Sequence, residues 1–366
     1  MIYLDSASTT KLSEVARNAI MEHLDVFGNP SSSYELGRES RLIIEDVRAR
    51  IAQCINAEPD EIYFTSGGSE ANTWAIKNRH SLASNIEHAS IKADSYFKVD
   101  NSGVVDLNLI NNWISHNNAY WEIIYKRVMS CMAVNNEIGT IQPIKEIAKI
   151  AHDSGAIFHT DAVQAIGHIP IDVKDINCDL LSASAHKFNG PKGVGFLYIK
   201  NGTGMTPLIY GGKQERFARG GTENVIGIVS MAAALEDAVE HMEDRNTRIK
   251  YLRDKMLNQL LKIPGSYLNG SLEHRVVSNI NIRFNGVSGQ KLVALCDMYG
   301  ICISSGSACH EGDAKPSHVL TAIGLSNTDA LNSVRITIGH ENTEEEIDVA
   351  TDVITKLVER IREIDE

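Results

Sequence analysis

Short apolar runs rich in β-branched residues alternate with amphipathic stretches along the first two thirds of this chain. The apolar runs include EIYFTS, RVMSCMAV, AIFHTD, LLSASA and GVGFLYI, and helical patterns such as IKEIAKIAHDSG lie between them. Strands that alternate with helices are typical of a mainly parallel sheet covered by helices on its faces. The sequence therefore predicts an α/β fold.

The C-terminal third has a different pattern. The chain turns helical from about residue 225, and the strand patterns VVSNINIRF and SVRITIG, the helical pattern GQKLVALCDMYG and a closing helix near 343–364 follow. These elements predict a smaller α+β unit, and 366 residues are more than one simple core usually needs. We expect a large domain at 13–245 and a small domain made of 1–12 and 246–366.

The charge balance restricts the kinds of partner. The formal net charge of −12 argues against non-specific binding to a phosphate backbone or to an anionic membrane. The N-terminus MIYLDSASTT has no basic patch before an apolar run, and no stretch approaches about 20 uninterrupted apolar residues. We expect a cytoplasmic protein with no direct nucleic-acid or membrane partner.

The cysteines form no regular framework. The six cysteines, at positions 54, 131, 178, 296, 302 and 309, include no C-x-x-C pair, so reduced thiols are expected. Cys309 lies in SSGSACHEGDAKPSHVL (304–320), a run of Gly, Ser, Asp and Pro that predicts an exposed, mobile loop. The spacing of the Cys and His residues in this region matches no common zinc motif, and no metal is expected.

The segment IYFTSGGSEANTWAI (62–76) reads as a strand, a Gly-Gly turn and a helix. Ser69 stands where an N-cap is expected. The backbone N–H groups of Gly67, Gly68 and Ser69, together with the positive end of the helix, would form an anion cradle that suits a phosphate. A tight strand-to-helix turn with no ligand is the alternative interpretation.

Two further strand ends carry polar groups. AIFHTDAVQAIG ends a strand in Asp161, with Gln164 three residues later. An acid and an amide at a strand's carboxyl end could face a heteroaromatic cofactor, although Asp161 could instead cap the next helix. In SASAHKFNGPKGVGFLYI (182–199), Lys187 follows a strand, where partial burial would lower its pKa and make the amine nucleophilic. The neighbouring Lys192 is interpreted as a solvated lysine.

The three turns together match the needs of pyridoxal 5'-phosphate, which has a phosphate, a basic ring nitrogen and an aldehyde. With EHAS (87–90), NNEIGTIQPI (135–144), GGKQERFARGGTENV (211–225) and SSGSAC (304–309), they make the chain resemble the cysteine desulfurases, in particular the iron–sulfur-cluster type. That family belongs to the class V aminotransferase group of fold-type I pyridoxal-phosphate enzymes. The resemblance implies a large domain with a mainly parallel seven-stranded sheet.

The resemblance also implies roles for individual residues. Lys187 is expected to bind the cofactor covalently and to move protons, Asp161 to pair with the ring nitrogen, and His88 to stack on the ring. The other expected contacts are Gln164 to the ring hydroxyl, Gly68, Ser69, Ser184 and His186 to the phosphate, Thr222 to the phosphate of the other subunit in a homodimer, Asn135 to the cofactor and substrate, and Arg335 to the substrate carboxylate.

Cys309 is expected to be the nucleophile. In this family the loop cysteine takes sulfur from L-cysteine as a persulfide, leaves L-alanine, and passes the sulfur to an acceptor protein. A selenocysteine lyase or a class V aminotransferase is the alternative within the same cofactor class. A non-catalytic sulfur-transfer scaffold is the alternative from another class, and it would have no need for Lys187, Asp161, His88 or Cys309.

Overall fold

The computed structural model describes residues 1–117, 127–305 and 315–365. Its strands are β1 Ile2–Tyr3, β2 Ile62–Thr65, β3 His80–Ser84, β4 Ser95–Phe97, β5 Arg127–Ser130, β6 Ile157–Asp161, β7 Leu180–Ser184, β8 Gly195–Ile199, β9 Ser266–Leu268, β10 Asn279–Phe284, β11 Ile301–Cys302 and β12 Ser333–Thr337. Its α-helices are α1 Glu14–Glu22, α2 Glu35–Cys54, α3 Gly68–Ile76, α4 Leu107–His116, α5 Ile144–Asp153, α6 Val173–Ile176, α7 Val225–Glu240, α8 Met242–Leu260, α9 Gly289–Met298, α10 His318–Ala322, α11 Asn327–Leu331 and α12 Glu344–Asp365. Short 3₁₀ turns occupy Pro59–Glu61, Ala185–Lys187 and Gln214–Phe217.

The large sheet has seven strands in the order β2-β8-β7-β6-β5-β3-β4. The pairs from β7 through β4 are parallel, while β8 runs antiparallel to both β7 and β2. The predicted mainly parallel seven-stranded sheet is therefore confirmed. Because β7, β6, β5 and β3 run in the same direction, their carboxyl ends meet at one edge, where an α/β sheet usually binds its ligand.

The remaining strands form two small sheets. β1 pairs in parallel with β11, and β10 lies between β9 and β12 in an antiparallel sheet. Leu4 packs with apolar residues from α8, α9 and α12 in a second core, separate from the core around the seven-stranded sheet. The N-terminal segment thus packs with elements from the C-terminal third of the chain.

Helices α10 and α11 depart from that simple division. Val319, Leu320, Ile323 and Ala330 pack with the core of the large sheet, although they lie late in the chain. Within the described ranges, no helix has the length and apolar content that crossing a membrane requires.

Candidate active site

The site begins with the turn between β2 and α3. Gly67 is the N-cap of the helix and has φ of +145°, a conformation that L side chains rarely adopt. The prediction that Ser69 is the N-cap is wrong, because the N-cap is Gly67 and the helix begins at Gly68, two residues earlier than the sequence pattern suggests. Ser69 therefore lies in the first turn, where backbone N–H groups have no partner within the helix and can bind an anion.

Two neighbouring cavities meet at this turn. One, of about 330 Å³, is bordered by many of the predicted site residues, namely Gly68, Ser69, His88, Asp161, Gln164, Ser184, His186, Lys187 and Arg335. The other, of about 360 Å³, is bordered by Gly67–Glu70 and shares Ser69, Ser184 and His186 with the first. The structure thus brings these residues together from strand ends that lie far apart in sequence.

Lys187 ends the 3₁₀ turn that follows β7. Its Nζ donates hydrogen bonds of 2.7 Å to the carbonyl oxygens of Ala7 and Ser8. Burial and the nearby Arg335 guanidinium lower the pKa of Lys187 to about 8, although the Asp5 and Asp161 carboxylates act in the opposite direction. About one tenth of the amine is therefore neutral at pH 7, and the neutral amine is the form that acts as a nucleophile. Lys192 is exposed, as predicted.

Asp161, the last residue of β6, is buried. Its Oδ1 accepts from the Val163 N–H at 2.9 Å, and its Oδ2 accepts from Asn72 Nδ2 at 2.6 Å. Burial raises the pKa of Asp161 above its usual range, and these hydrogen bonds offset the increase in part. A cation placed against this carboxylate would further stabilise its charged form.

Asn72 connects Asp161 to His88. Asn72 Nδ2 also donates to Ser90 Oγ at 2.9 Å, and Ser90 Oγ lies 2.7 Å from His88 Nδ1. The Ser90 backbone N–H donates to the same Nδ1 at 3.2 Å. Because Nδ1 accepts, the network assigns the ring proton of neutral His88 to Nε2. His88 borders the cavity with its orientation fixed by these contacts.

Gln164 and His186 are held by the N-terminal segment. Gln164 Nε2 donates to the Ala7 carbonyl at 2.9 Å, and His186 Nδ1 lies 3.1 Å from Thr9 Oγ1. Burial and the nearby Lys187 and Lys192 ammonium groups lower the pKa of His186 to about 4, so this ring is neutral at pH 7.

Arg335 lies on β12 and is nearly buried. Its Nη2 donates to Asp5 Oδ1 at 2.7 Å and to Ser8 Oγ at 2.6 Å, and its Nη1 donates to the Asn136 carbonyl at 2.9 Å. Its Nε is buried and has no hydrogen-bond partner. The guanidinium borders the cavity, at a position suited to binding a carboxylate.

Asn135 is not brought into the 330 Å³ cavity, whereas its neighbour Asn136 borders it. The Asn135 side chain donates to the Ile86 carbonyl at 3.0 Å and accepts from the N–H groups of Glu137 and Ile138, at 2.8 and 2.9 Å. These contacts shape the turn, so the geometry favours Asn136 for a contact with the substrate or cofactor.

Thr222 is exposed and borders neither cavity. Cys309 lies outside the described residues, but both flanks of its segment are placed. Ser304 pairs with Arg335 through backbone hydrogen bonds of 3.0 and 2.6 Å, and the Ser317 hydroxyl donates to Glu137 Oε2 at 2.5 Å. Ser304 and Ser317, which flank this segment, thus contact Arg335 and the residue that follows Asn136.

The other cysteines that the structure describes are all free thiols. Cys131, Cys178 and Cys296 are buried, and Cys54 is partly buried. Burial raises the pKa of Cys54 to about 11 and that of Cys296 to about 12, so neither is a ready nucleophile.

Sequence reasoning missed three polar residues of the site. Asn136 could have been considered because it adjoins Asn135, and Asn72 because it follows the Gly-Gly turn by one helical turn. Asp5 gave no local signal, since its partner Arg335 is 330 positions away.

Comparison with known proteins gives a consistent result. The family model described as aminotransferase class-V matches residues 2–349. The chain is 42% identical over 382 residues to cysteine desulfurase IscS of Methanosarcina thermophila, an alignment that covers 99% of this chain and 93% of that protein.

Two solved structures are also similar. The NifS-like protein from Rickettsia africae superposes with a TM-score of 0.91 at 31% identity, covering 98% of this chain and 99% of that one. The structure described as SspA in complex with cysteine gives a TM-score of 0.77 at 31% identity, covering 94% of this chain and 100% of that one. On the strength of the family match, the near full-length identity and the shared fold, this chain belongs to the cysteine desulfurases of the class V aminotransferase family.

Proposed function

We propose that this protein is a pyridoxal 5'-phosphate-dependent cysteine desulfurase that converts L-cysteine to L-alanine and carries the sulfur as a persulfide on Cys309. One observation carries the proposal. A single cavity of about 330 Å³ is bordered by an amine, a buried carboxylate and a guanidinium, those of Lys187, Asp161 and Arg335. A relative with a similar fold has been solved with cysteine.

The residues present suit pyridoxal phosphate. Lys187 has a lowered pKa of about 8, as a lysine that condenses with an aldehyde needs. Asp161 is a buried carboxylate whose charge a protonated ring nitrogen would balance. A side-chain carbon added at Gly68 would lie 2.6 Å from Val163 Cγ2 and 3.5 Å from Ser184 Cβ, so the turn packs closely against both residues at this end of the cavity. Ser69, Ser184 and His186 border this end of the cavity and would hold the phosphate.

When bound, pyridoxal phosphate supplies an electron sink for negative charge that develops at the substrate Cα. The protein's own groups do the rest. Asp161 would hold the proton on the ring nitrogen, Gln164 would donate to the ring hydroxyl, and His88 would stack on the ring. Lys187 would take a proton from Cα and later return protons to carbon, while Arg335 and Asn136 would hold the substrate carboxylate.

The sulfur transfer balances without an outside oxidant. The Cys309 thiolate attacks the substrate sulfur, the S–S bond of the persulfide forms, and the C–S bond breaks with its electron pair left on carbon. Protonation of that carbon gives L-alanine. Cysteine and one enzyme thiol are thereby converted to alanine and one persulfide, which a sulfur-acceptor protein then removes by thiol exchange.

We also propose that the protein is a cytoplasmic homodimer, in which Thr222 completes the phosphate site of the partner subunit. Its free thiols suit a reducing compartment. The exposure of Thr222 in the monomer supports a role at a subunit interface.

The test is release of alanine and sulfide from L-cysteine in the presence of a thiol reductant, with absorption spectra of each protein. Cys309→Ala should keep its cofactor band and lose desulfuration, whereas the matched variant Cys302→Ala should retain it. If Cys309→Ala releases sulfide as fast as wild type, the assignment of Cys309 is wrong. A wild-type protein with no cofactor band would overturn the whole proposal.

A further inference from the structure

The Arg335 guanidinium is already engaged by the N-terminal segment. Both hydrogens of Nη2 have acceptors within the chain, Asp5 Oδ1 at 2.7 Å and Ser8 Oγ at 2.6 Å. An arginine can bind a carboxylate in a bidentate manner, with two parallel hydrogen bonds, either through Nη1 and Nη2 or through Nε and Nη2. Each of these forks uses one Nη2 hydrogen, so a carboxylate held in this way must displace Asp5 or Ser8.

The two acceptors differ in how easily they can yield. Ser8 offers a neutral hydroxyl that can rotate away. Asp5 offers a charged carboxylate, and the Asp5–Arg335 ion pair is largely buried, with side-chain exposures of 17% and 7%. A partly buried ion pair is stronger than an exposed one because water screens it less. Ser8 is therefore the acceptor that gives way to a substrate.

The backbone also holds Asp5 in place. Asp5 forms a bridge with Thr337, which lies two residues after Arg335 on β12. The Thr337 N–H donates to the Leu4 carbonyl at 2.8 Å, and the Ser6 N–H donates to the Thr337 carbonyl at 3.3 Å. The Asp5 carboxylate is thus fixed relative to the strand that carries Arg335.

We propose that Asp5 is a positioning residue for the substrate carboxylate. As the counterion of Arg335, it fixes the orientation of the guanidinium and limits how strongly Arg335 binds that carboxylate. The inference rests on the proposed function of Arg335. Asp5 retains one Nη2 hydrogen while the substrate takes the other. Its negative charge lies beside the bound carboxylate, weakens binding of substrate and product alike, and thereby favours release of L-alanine.

The test compares binding of L-alanine with binding of L-alaninamide, which lacks the carboxylate, to the cofactor-loaded protein by calorimetry. Asp5→Asn keeps the acceptor oxygen and the shape but removes the charge. It should lower the dissociation constant for L-alanine roughly fivefold and leave that for L-alaninamide unchanged. Asp5→Glu restores the charge and should return the L-alanine value toward wild type.

Two controls separate this effect from others. Ser8→Ala removes the neutral acceptor from the same nitrogen and should lower the dissociation constant for L-alanine by no more than about twofold. Glu341→Gln removes a carboxylate that pairs with the exposed Lys11 at 3.4 Å, and it should leave L-alanine binding unchanged. In turnover, Asp5→Asn should lower the KM for L-cysteine without raising kcat.

An unchanged or raised dissociation constant for L-alanine in Asp5→Asn overturns the inference, as does an equal change for L-alaninamide. If the wild type releases no alanine from L-cysteine, the proposed function fails instead. Normal wild-type turnover with no effect of Asp5→Asn on L-alanine binding or on KM would refute the role of Asp5 alone.

Discussion

The low pKa of Lys187 results from burial and from charges of both signs nearby. Burial and Arg335 lower its pKa to about 8, and Asp5 and Asp161 raise it. Because only the neutral amine attacks an aldehyde, covalent incorporation of pyridoxal phosphate into cofactor-depleted protein should accelerate as pH rises through about 8. Arg335→Gln should move that midpoint up and Asp5→Asn should move it down. Midpoints that shift in the same direction would contradict this account.

Glu87, next to His88, is a buried carboxyl that the proposed chemistry does not use. Its Oε1 accepts from the Met132 N–H at 2.8 Å and from the Ser84 hydroxyl, while its Oε2 is buried without a hydrogen-bond partner. Burial raises its pKa from 4.5 to about 8. The folded protein therefore keeps a proton that the unfolded chain loses above pH 4.5, so the stability contributed by this group falls as pH rises toward 8.

Glu87→Gln mimics the protonated form and removes this dependence. The difference between the free energies of unfolding, variant minus wild type, should increase from pH 5 to pH 8 by an amount on the order of 3 kcal/mol. Urea unfolding at both pH values, with saturating pyridoxal phosphate, measures the difference. The exposed Glu146→Gln should show no such gain. Parallel pH profiles for wild type and Glu87→Gln would show that Glu87 does not titrate in this range.

Individual site residues were predictable where the local sequence carries the signal. Lys187 and Asp161 stand at the ends of apolar strands, and such ends meet at one edge of a parallel sheet. The choice between Asn135 and Asn136 depends on which side chain the turn uses for its own hydrogen bonds, and neither spacing nor composition reveals that. Asp5 was missed because a contact with Arg335 is a property of the folded chain.

At the scale of elements, the loop after β8 is held by a buried ion pair. Arg48 of α2 donates from both terminal nitrogens to Glu215, at 2.9 and 3.0 Å, and both side chains are almost fully buried. Glu215, Arg216 and Phe217 have φ of 43°, 56° and 65°, a left-handed run that costs L residues energy. The ion pair therefore stabilises a strained turn in the loop that leads to Thr222.

Arg48→Met leaves Glu215 buried without its cation and should lower the free energy of unfolding by about 3–5 kcal/mol. Replacing both partners with apolar residues, as in Arg48→Met with Glu215→Leu, should recover part of this loss. The exposed pair Lys149–Asp153 provides the control, since Lys149→Ala should change stability by less than about 0.5 kcal/mol. Equal losses for Arg48→Met and Lys149→Ala would mean that the buried pair is not important for stability.

Strands and helices were largely predictable because their patterns are local. β2, β5, β6, β7 and β8 fall within the five apolar runs, and α5 falls within its amphipathic pattern. Helix boundaries were harder to predict. α3 begins at Gly68 because Gly67 can adopt a φ that ends the extended strand conformation. The packing of α10 against the large core was not predictable from pattern, since an apolar helix face does not identify its partner.

At the scale of the whole molecule, two segments of the large unit leave apolar side chains exposed. Phe27 is 79% exposed and Tyr210 is 76% exposed, and Met21, Leu42 and Phe217 are exposed as well. Gln214 Nε2 lies 3.5 Å from Ser31 Oγ, so the segments 21–42 and 209–222 adjoin. Exposed apolar side chains on adjoining segments favour association, and Thr222 belongs to the second of these segments.

The proposed homodimer would bury this surface and bring Thr222 toward the partner's phosphate turn. Wild type should sediment as a dimer, and the double variant Phe27→Asp with Tyr210→Asp should shift toward monomer, because two charges would then be buried without partners. The same variant should retain pyridoxal phosphate less well after gel filtration, since each site would lose a contact from the other subunit. Met298→Asp, at an equally exposed apolar position on α9, should remain dimeric and keep its cofactor. A monomeric wild type, or dissociation by Met298→Asp as well, would mean that the surface 21–42 with 209–222 is not the subunit interface and that Thr222 serves no neighbouring site.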